Sequence, residues 1–260
     1  MHRSFSSLRS IPDATRLVTS AVYKLSSVLD RRSPTKFAVL SRSRTGSNML
    51  MSFLNSHPNV QMDGEALSSL GPRSYQQVLD HIYSPAPFFV KTKGFKYFYY
   101  HPVDDDPNAA VRALSAVDGL HIIHLKRTNL FHTLVSQKVA SQTDVWHVPA
   151  ETPGASTRPT LTISMAPADV QGGFEETRQW EQDGEATFRA HPLLTVTYED
   201  LVDHRDTEFR RITDFLGLRP IAPKTRFRKQ NKRPMRAVVD NYDELKAAFS
   251  NTEWASFFDE

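Results

Sequence analysis

Apolar positions along this chain come as short continuous runs that alternate with stretches of helical spacing. Phe37-Ala38-Val39-Leu40, just after Pro34, is a continuous run that predicts a buried parallel strand. The polar residues 41–47 follow, and Met49, Leu50, Met51, Phe53 and Leu54 then predict a helix, giving strand, loop, helix. Phe88-Phe89-Val90 and residues 95–100 predict further strand, divided at Gly94. Residues 120–125 predict another strand, and Leu130, Phe131, Leu134, Val135 and Val139 the helix behind it. Residues 143–159 mix Pro, Gly, Thr and Ser without periodicity, which predicts a long loop of the kind used as a lid or acceptor-binding segment. A long polar helix is predicted over 167–190, a strand over 193–197, a helix over 209–216 ended by Gly217 and Pro220, and a last helix from near Asp240. Strands alternating with helices predict an α/β fold with a mostly parallel central sheet flanked by helices.

The N-terminal stretch reads differently. Leu17, Val18, Ala21, Val22, Leu25, Val28 and Leu29 recur at helical spacing among Arg16, Lys24, Arg31 and Arg32. An amphipathic helical extension over residues 1–35 is expected, with residues 14–32 suited to core packing, a partner, or peripheral contact with an anionic membrane. An organellar transit peptide has a similar pattern. No apolar stretch reaches the roughly 20 residues that a membrane helix needs.

Composition narrows the chemistry. With 39% apolar residues the chain builds a sizeable core. It contains no cysteine. Disulfides, thiolate zinc sites and cysteine nucleophiles are therefore excluded, and a reducing, cytoplasmic setting fits. Lys+Arg number 32 against 29 Asp+Glu, a formal charge of +3, too small an excess to mark a nucleic-acid binder. The distribution is more telling: residues 219–239 hold eight basic side chains and no acid. Such a run is either a solvated face or a loop that closes over an anion.

The segment Ser41-Arg42-Ser43-Arg44-Thr45-Gly46-Ser47-Asn48 joins strand to helix. A helix N-terminus presents main-chain N–H groups and the positive end of a dipole to an anion. Gly46 permits close approach, Ser47 and Asn48 add donors, and Arg44 supplies fixed charge. An ordinary capped helix start with exposed arginines is the plainer alternative. The segment lacks the Gly-Lys-Ser/Thr ending of a Walker A loop. A nucleoside triphosphatase also places a magnesium-binding acid at the end of a neighbouring strand, where this chain has Lys126-Arg127. Cations at both strand ends predict an anionic ligand held directly by protein charge.

These residues resemble a known family. Arg44-Thr45-Gly46-Ser47-Asn48-Met49-Leu50 is similar to the 5'-phosphosulfate loop of sulfotransferases that use PAPS (3'-phosphoadenosine-5'-phosphosulfate). Arg127-Thr128-Asn129-Leu130, followed by Ser136, resembles the segment that holds the 3'-phosphate. The nine-residue step from Arg127 to Ser136 matches the bacterial, Nod-factor-like branch that sulfates lipo-oligosaccharides and glycolipids. Tyr198-Glu199-Asp200-Leu201 and Phe215-Leu216-Gly217-Leu218 match further landmarks of the family. Lys229, Gln230, Lys232 and Arg233 resemble its C-terminal basic loop over the donor. The resemblance implies a P-loop-like three-layer sulfotransferase domain over residues 36–260, PAPS as donor, PAP as product, and no metal. It also implies a hydroxyl-bearing acceptor, carbohydrate or glycolipid, rather than nucleic acid.

Sulfuryl transfer runs in line between two oxygens, so the protein positions, stabilises charge and removes a proton. Arg42, Arg44, Thr45, Gly46, Ser47 and Asn48 are expected to bind the 5' end of the donor. Arg44 is the candidate for the leaving oxygen, with Arg42 as substitute; an arginine there stabilises charge and donates no proton. Glu65, in Asp63-Gly64-Glu65, resembles the glutamate proposed as base in the bacterial branch. Asp63 is its rival, and the plainer reading is an acid at a helix start. His101 and His124 are alternative bases. Lys96, in Gly94-Phe95-Lys96, is expected at the acceptor or sulfate. Trp180 offers a face to adenine or sugar, and Tyr97, Phe98, Tyr99, Tyr100 and Trp146 to sugar. The competing classes are a P-loop-like small-molecule kinase and a non-catalytic module that binds nucleotide or polyanion.

Overall fold

The run predicted at residues 37–40 becomes the middle of the sheet. The computed structural model describes residues 31–144, 161–222 and 233–259. Within them, strands β1 (Arg31–Arg32), β2 (Thr35–Ser41), β3 (Val60–Asp63), β4 (Ala86–Pro87), β5 (Thr92–Phe98), β6 (Leu120–Lys126) and β7 (Leu193–Thr197) are formed. Helices are α1 (Ser47–Asn55), α2 (Tyr75–Ile82), α3 (Pro107–Ser115), α4 (Leu130–Thr143), α5 (Pro167–Thr187), α6 (Tyr198–Asp203), α7 (Arg205–Phe215) and α8 (Tyr242–Phe249). Five strands pair in the order β3-β5-β2-β6-β7, and every pairing is parallel. β1 and β4 form a separate antiparallel ribbon.

Alternation along β2 divides the core. Phe37 and Val39 join Leu50 and Phe53 of α1 and Phe209 and Ile212 of α7 on one face. Ala38 and Leu40 face the other way, with Val78 and Leu79 of α2, Leu114 of α3, and Phe188. These are the three expected layers: helices, parallel sheet, helices. A further apolar cluster binds α4, α5 and α8 through Phe131, Phe174, Leu245 and Phe258. Among the described residues no helix is long and apolar enough to cross a membrane. The expected N-terminal helix, Trp146, most of the 143–159 loop, and Lys229, Gln230 and Lys232 lie outside the described residues.

The structure corrects three expectations for local elements. Gly94 does not divide its strand: β5 runs through it, and residues 88–90 precede the strand as a turn. Phe37 is the register partner of Gly94, and a Cβ on Gly94 would lie 2.6 Å from three atoms of its ring. The glycine makes room for that ring. Gly94→Ala is therefore expected to destabilise the fold by about 1–3 kcal/mol through overpacking, read as a lower denaturant midpoint at unchanged slope. Second, residues 60–63 add an edge strand, β3. Third, Glu65 follows that strand in a turn rather than opening a helix.

Strand order also locates the place where a ligand fits. From β2 the chain travels to β3 and β5 on one side, and from β6 it travels to β7 on the other. The crevice beyond the carboxyl ends of β2 and β6 is thus the switch point of the topology, where open α/β sheets bind ligands. The 42–48 loop leaves β2 there, and Arg127 follows β6.

Candidate active site

The loop after β2 is shaped by two left-handed residues. Arg44 has φ 68° and Gly46 φ 88°. Gly46 occupies the N-cap position of α1, no side chain caps that helix end, and the first turn carries no acid. Main-chain N–H groups of Met49 and Leu50 are taken by the Gly46 carbonyl, and Thr45 Oγ1 donates to the Arg42 carbonyl at 2.9 Å. The ring of Tyr198, the first residue of α6, lies against Gly46: a Cβ there would meet Tyr198 Cδ2 at 2.5 Å. Glycine is needed at this position for its φ and for that contact.

Three of the expected donor residues come together here. Arg44 Nε donates to Ser136 Oγ at 3.0 Å, and Arg127 Nη1 donates to the Arg44 carbonyl at 3.3 Å. The Arg127 guanidinium lies over the Tyr198 ring, 4.6 Å from its centre. Its Nε is 3.8 Å from Glu199 Oε1, while Thr128 N donates to Glu199 Oε2 at 3.0 Å. Burial pulls the Arg127 pKa below its ordinary value, opposed by Tyr198 and Glu199. Lys126 turns elsewhere and pairs with Glu185 at 2.7 Å and Glu181 at 3.5 Å. Arg127, not Lys126, therefore faces the loop.

Arg42 departs from expectation. It is only 3% exposed, and its Nη1 and Nη2 donate to Thr177 of α5 and Gln137 of α4. Both ends of the guanidinium fork are used on the helical layer, so Arg42 anchors the start of the loop instead of standing beside Arg44. Arg233 donates to the Ala237 carbonyl.

A second group gathers around Lys96, near the carboxyl ends of β3 and β5. Lys96 N donates to the Gly64 carbonyl at 2.9 Å, so main-chain pairing sets Lys96 beside Glu65. Lys96 Nζ donates to Glu65 Oε1 at 2.9 Å and to Asn48 Oδ1 at 2.7 Å. The ammonium is almost wholly buried, whereas the Glu65 carboxylate is one-third exposed. One lysine thus ties the expected base to the first turn of the phosphate loop. His101 Nε2 stands 3.9 Å from Glu65 Oε2, and burial lowers the His101 pKa despite that carboxylate.

His124 is no accessible base. It is fully buried, its Nε2 lies 2.6 Å from the Tyr99 hydroxyl, and burial with nearby Lys126 pushes its pKa down to about 4. Tyr97 and Phe98 are buried in the sheet and offer no sugar-stacking face. Tyr99, Tyr100 and Trp180 remain half-buried and touch one another.

Buried polar atoms mark the same edge. Among the described residues, Ser41 Oγ, Arg42 Nε, Thr92 Oγ1, His101 Nδ1, His124 Nδ1, Arg127 Nε and Thr133 Oγ1 are buried without a hydrogen-bond partner. Five of the seven lie at or near the carboxyl ends of β2, β5 and β6, while Thr92 opens β5 at its amino end and Thr133 sits on α4. Leaving such groups desolvated is costly, and Arg127 Nε lies beside the loop, where a bound anion would complete it. An anion fits: the N-terminus of α1 has no side-chain cap and no acid in its first turn, and buried Arg127 supplies charge that Glu199 only partly meets.

No family model matches the chain. Nodulation protein H of Rhizobium meliloti strain 1021, a sulfotransferase, is 26% identical to it over 241 residues, spanning 87% of this chain and 96% of that protein. Nodulation protein H of Rhizobium tropici is 27% identical over 249 residues, spanning 87% and 94%. The chain is a sulfotransferase. A solved sulfotransferase from Alicyclobacillus acidocaldarius is also similar, at 14% identity and a TM-score of 0.48, covering 84% of this sulfotransferase and 91% of that one.

Two features of the sulfotransferase site escaped sequence reasoning. Glu199 was visible only as part of a landmark; its place between Arg127 and Thr128 follows from β7 lying beside β6. The clamp of Gln137 and Thr177 on Arg42 joins residues 95 and 135 positions away, and nothing local announces it.

Proposed function

We propose that this sulfotransferase takes its sulfuryl group from PAPS and passes it to a hydroxyl of a carbohydrate or glycolipid, with Glu65 as general base. The observation that carries the reading is the bridge from Asn48 through Lys96 to Glu65, which joins a phosphate-type loop to a half-open carboxylate. PAPS, when bound, supplies the sulfuryl group and a leaving phosphate. Arg44, Thr45, Gly46, Ser47 and Asn48 receive its 5' end. Arg127 and Ser136 receive the 3'-phosphate. The guanidinium of Arg44 stays charged throughout and stabilises the leaving oxygen without giving up a proton. Glu65 takes the proton of the acceptor hydroxyl, and Lys96 holds the carboxylate in place from its buried side. The catalytic unit is residues 36–260, with residues 1–35 as an extension in which residues 14–32 suit peripheral membrane contact in the cytoplasm.

Calorimetry with PAP, AMP and ATP-magnesium tests the donor. PAP is expected to bind at least about tenfold more tightly than AMP, the equivalent of one charge-assisted contact to the 3'-phosphate. ATP-magnesium binding above PAP would refute the reading and favour a kinase.

A further inference from the structure

The proposed function leaves three rings unused. Trp180 stacks near Tyr99, with ring centres 5.9 Å apart and planes 25° apart, and meets Tyr100 at 5.6 Å. All three are half-buried, although Tyr97, Phe98 and Phe188 nearby are taken fully into the core. Tyr99 is seated by packing on the core and by its bond to His124, and Trp180 and Tyr100 are gathered beside it at the rim.

Their position is specific. Tyr100 meets the His101 ring at 5.3 Å, and His101 stands 3.9 Å from Glu65. Ser43 N donates to the Tyr100 hydroxyl at 3.3 Å, so the rings border the donor loop as well. The donor contacts of Arg127, Tyr198 and Glu199 lie toward β7; these rings lie on the side of β5 and Glu65. Polar groups frame the patch. Arg42 passes 5.6 Å from the Trp180 ring, and the carboxylates of Glu181 and Glu185 are held at the rim by Lys126. Flat apolar faces edged by a few carboxylates and cations are what a sugar ring requires: its C–H face lies on the rings, and its hydroxyls bond to the edge.

We infer that Trp180, with Tyr99 and Tyr100, is the platform on which the sugar of the acceptor lies, oriented by Glu181 and Glu185 so that one hydroxyl reaches Glu65. This inference rests on the proposed transfer to a carbohydrate. It goes further by assigning the sugar to α5 and the end of β5, and it excludes adenine from the same rings.

The test uses the full chain, saturated with PAP, titrated with cellotetraose, maltotetraose and tetraacetylchitotetraose. At least one tetrasaccharide should bind and shift the tryptophan emission. Trp180→Ala should weaken that binding by about tenfold or more, Trp180→Phe should restore most of it, and both variants should bind PAP as the unaltered protein does. Should Trp180→Ala fail to fold, Trp180→Phe still decides. The emission shift then disappears while Trp146 and Trp254 continue to emit. Unchanged sugar affinity in Trp180→Ala, an emission shift that persists in Trp180→Phe, or a loss of PAP affinity equal to that of sugar would overturn the platform. Binding of PAP with no binding of any tetrasaccharide would also remove it and leave the donor reading intact. Sugar binding without PAP binding would support the platform and remove the donor reading.

Discussion

Glu65→Gln is expected to lower turnover by about 100-fold or more, the range for loss of a general base, while PAP affinity is unchanged. Glutamine keeps the shape of the side chain, and its Oε1 still accepts from Lys96. It cannot take a proton from a hydroxyl. Lys96 keeps Asn48 as a second acceptor at 2.7 Å, so the buried ammonium is not stranded and the loop stays in place. Some loss of stability is expected all the same, because a buried cation loses its counter-charge; a thermal melt separates it from the kinetic effect. Glu65→Asp keeps the charge but withdraws it by one methylene, so its turnover should fall between the two. Near-normal turnover in Glu65→Gln would move the base to Asp63 or His101.

Arg127→Ala is expected to weaken PAP by roughly 100-fold, the size of a lost desolvated charge contact, and to leave AMP almost unchanged. The difference between the two ligands is the 3'-phosphate alone. Arg127 is suited to that selectivity by its surroundings: its guanidinium lies over the ring of Tyr198, Glu199 lies beside its Nε, and the Arg44 carbonyl accepts from its Nη1. Ser136→Ala should act in the same direction with a smaller effect, since one neutral hydroxyl is removed. Equal losses for PAP and AMP would show that the 3'-phosphate is held elsewhere.

Much of this architecture was legible because the chain writes its buried strands as uninterrupted apolar runs. β2, β6 and β7 were read in place, as were the helices behind β2 and β6. The loop at Gly46 and the arginine at the end of β6 were legible because anion binding demands particular residue types at strand ends. Shorter signals were passed over. Ser74 and Gln77 form a capping box for α2, and Asp106 caps α3 just before Pro107, yet neither helix was expected. β3 has four residues at the sheet edge and only Val60 and Met62 buried, too brief for a pattern to stand out. Gly94 misled for a physical reason: its missing side chain serves a ring on another strand, and sequence proximity carries no record of that neighbour. Arg42 misled in the same way. Its charge suggested an anion, but its partners lie on α4 and α5, brought near only by the completed helical layer.

The short bridge made by Lys96 has a consequence for how the two halves of this enzyme relate. A single ammonium answers both to the amide of Asn48, in the first turn of α1, and to the carboxylate of Glu65, just after β3. Any displacement of the first turn of α1 is passed within two hydrogen bonds to Glu65, so under the proposed mechanism a shift of the donor loop is felt at the base.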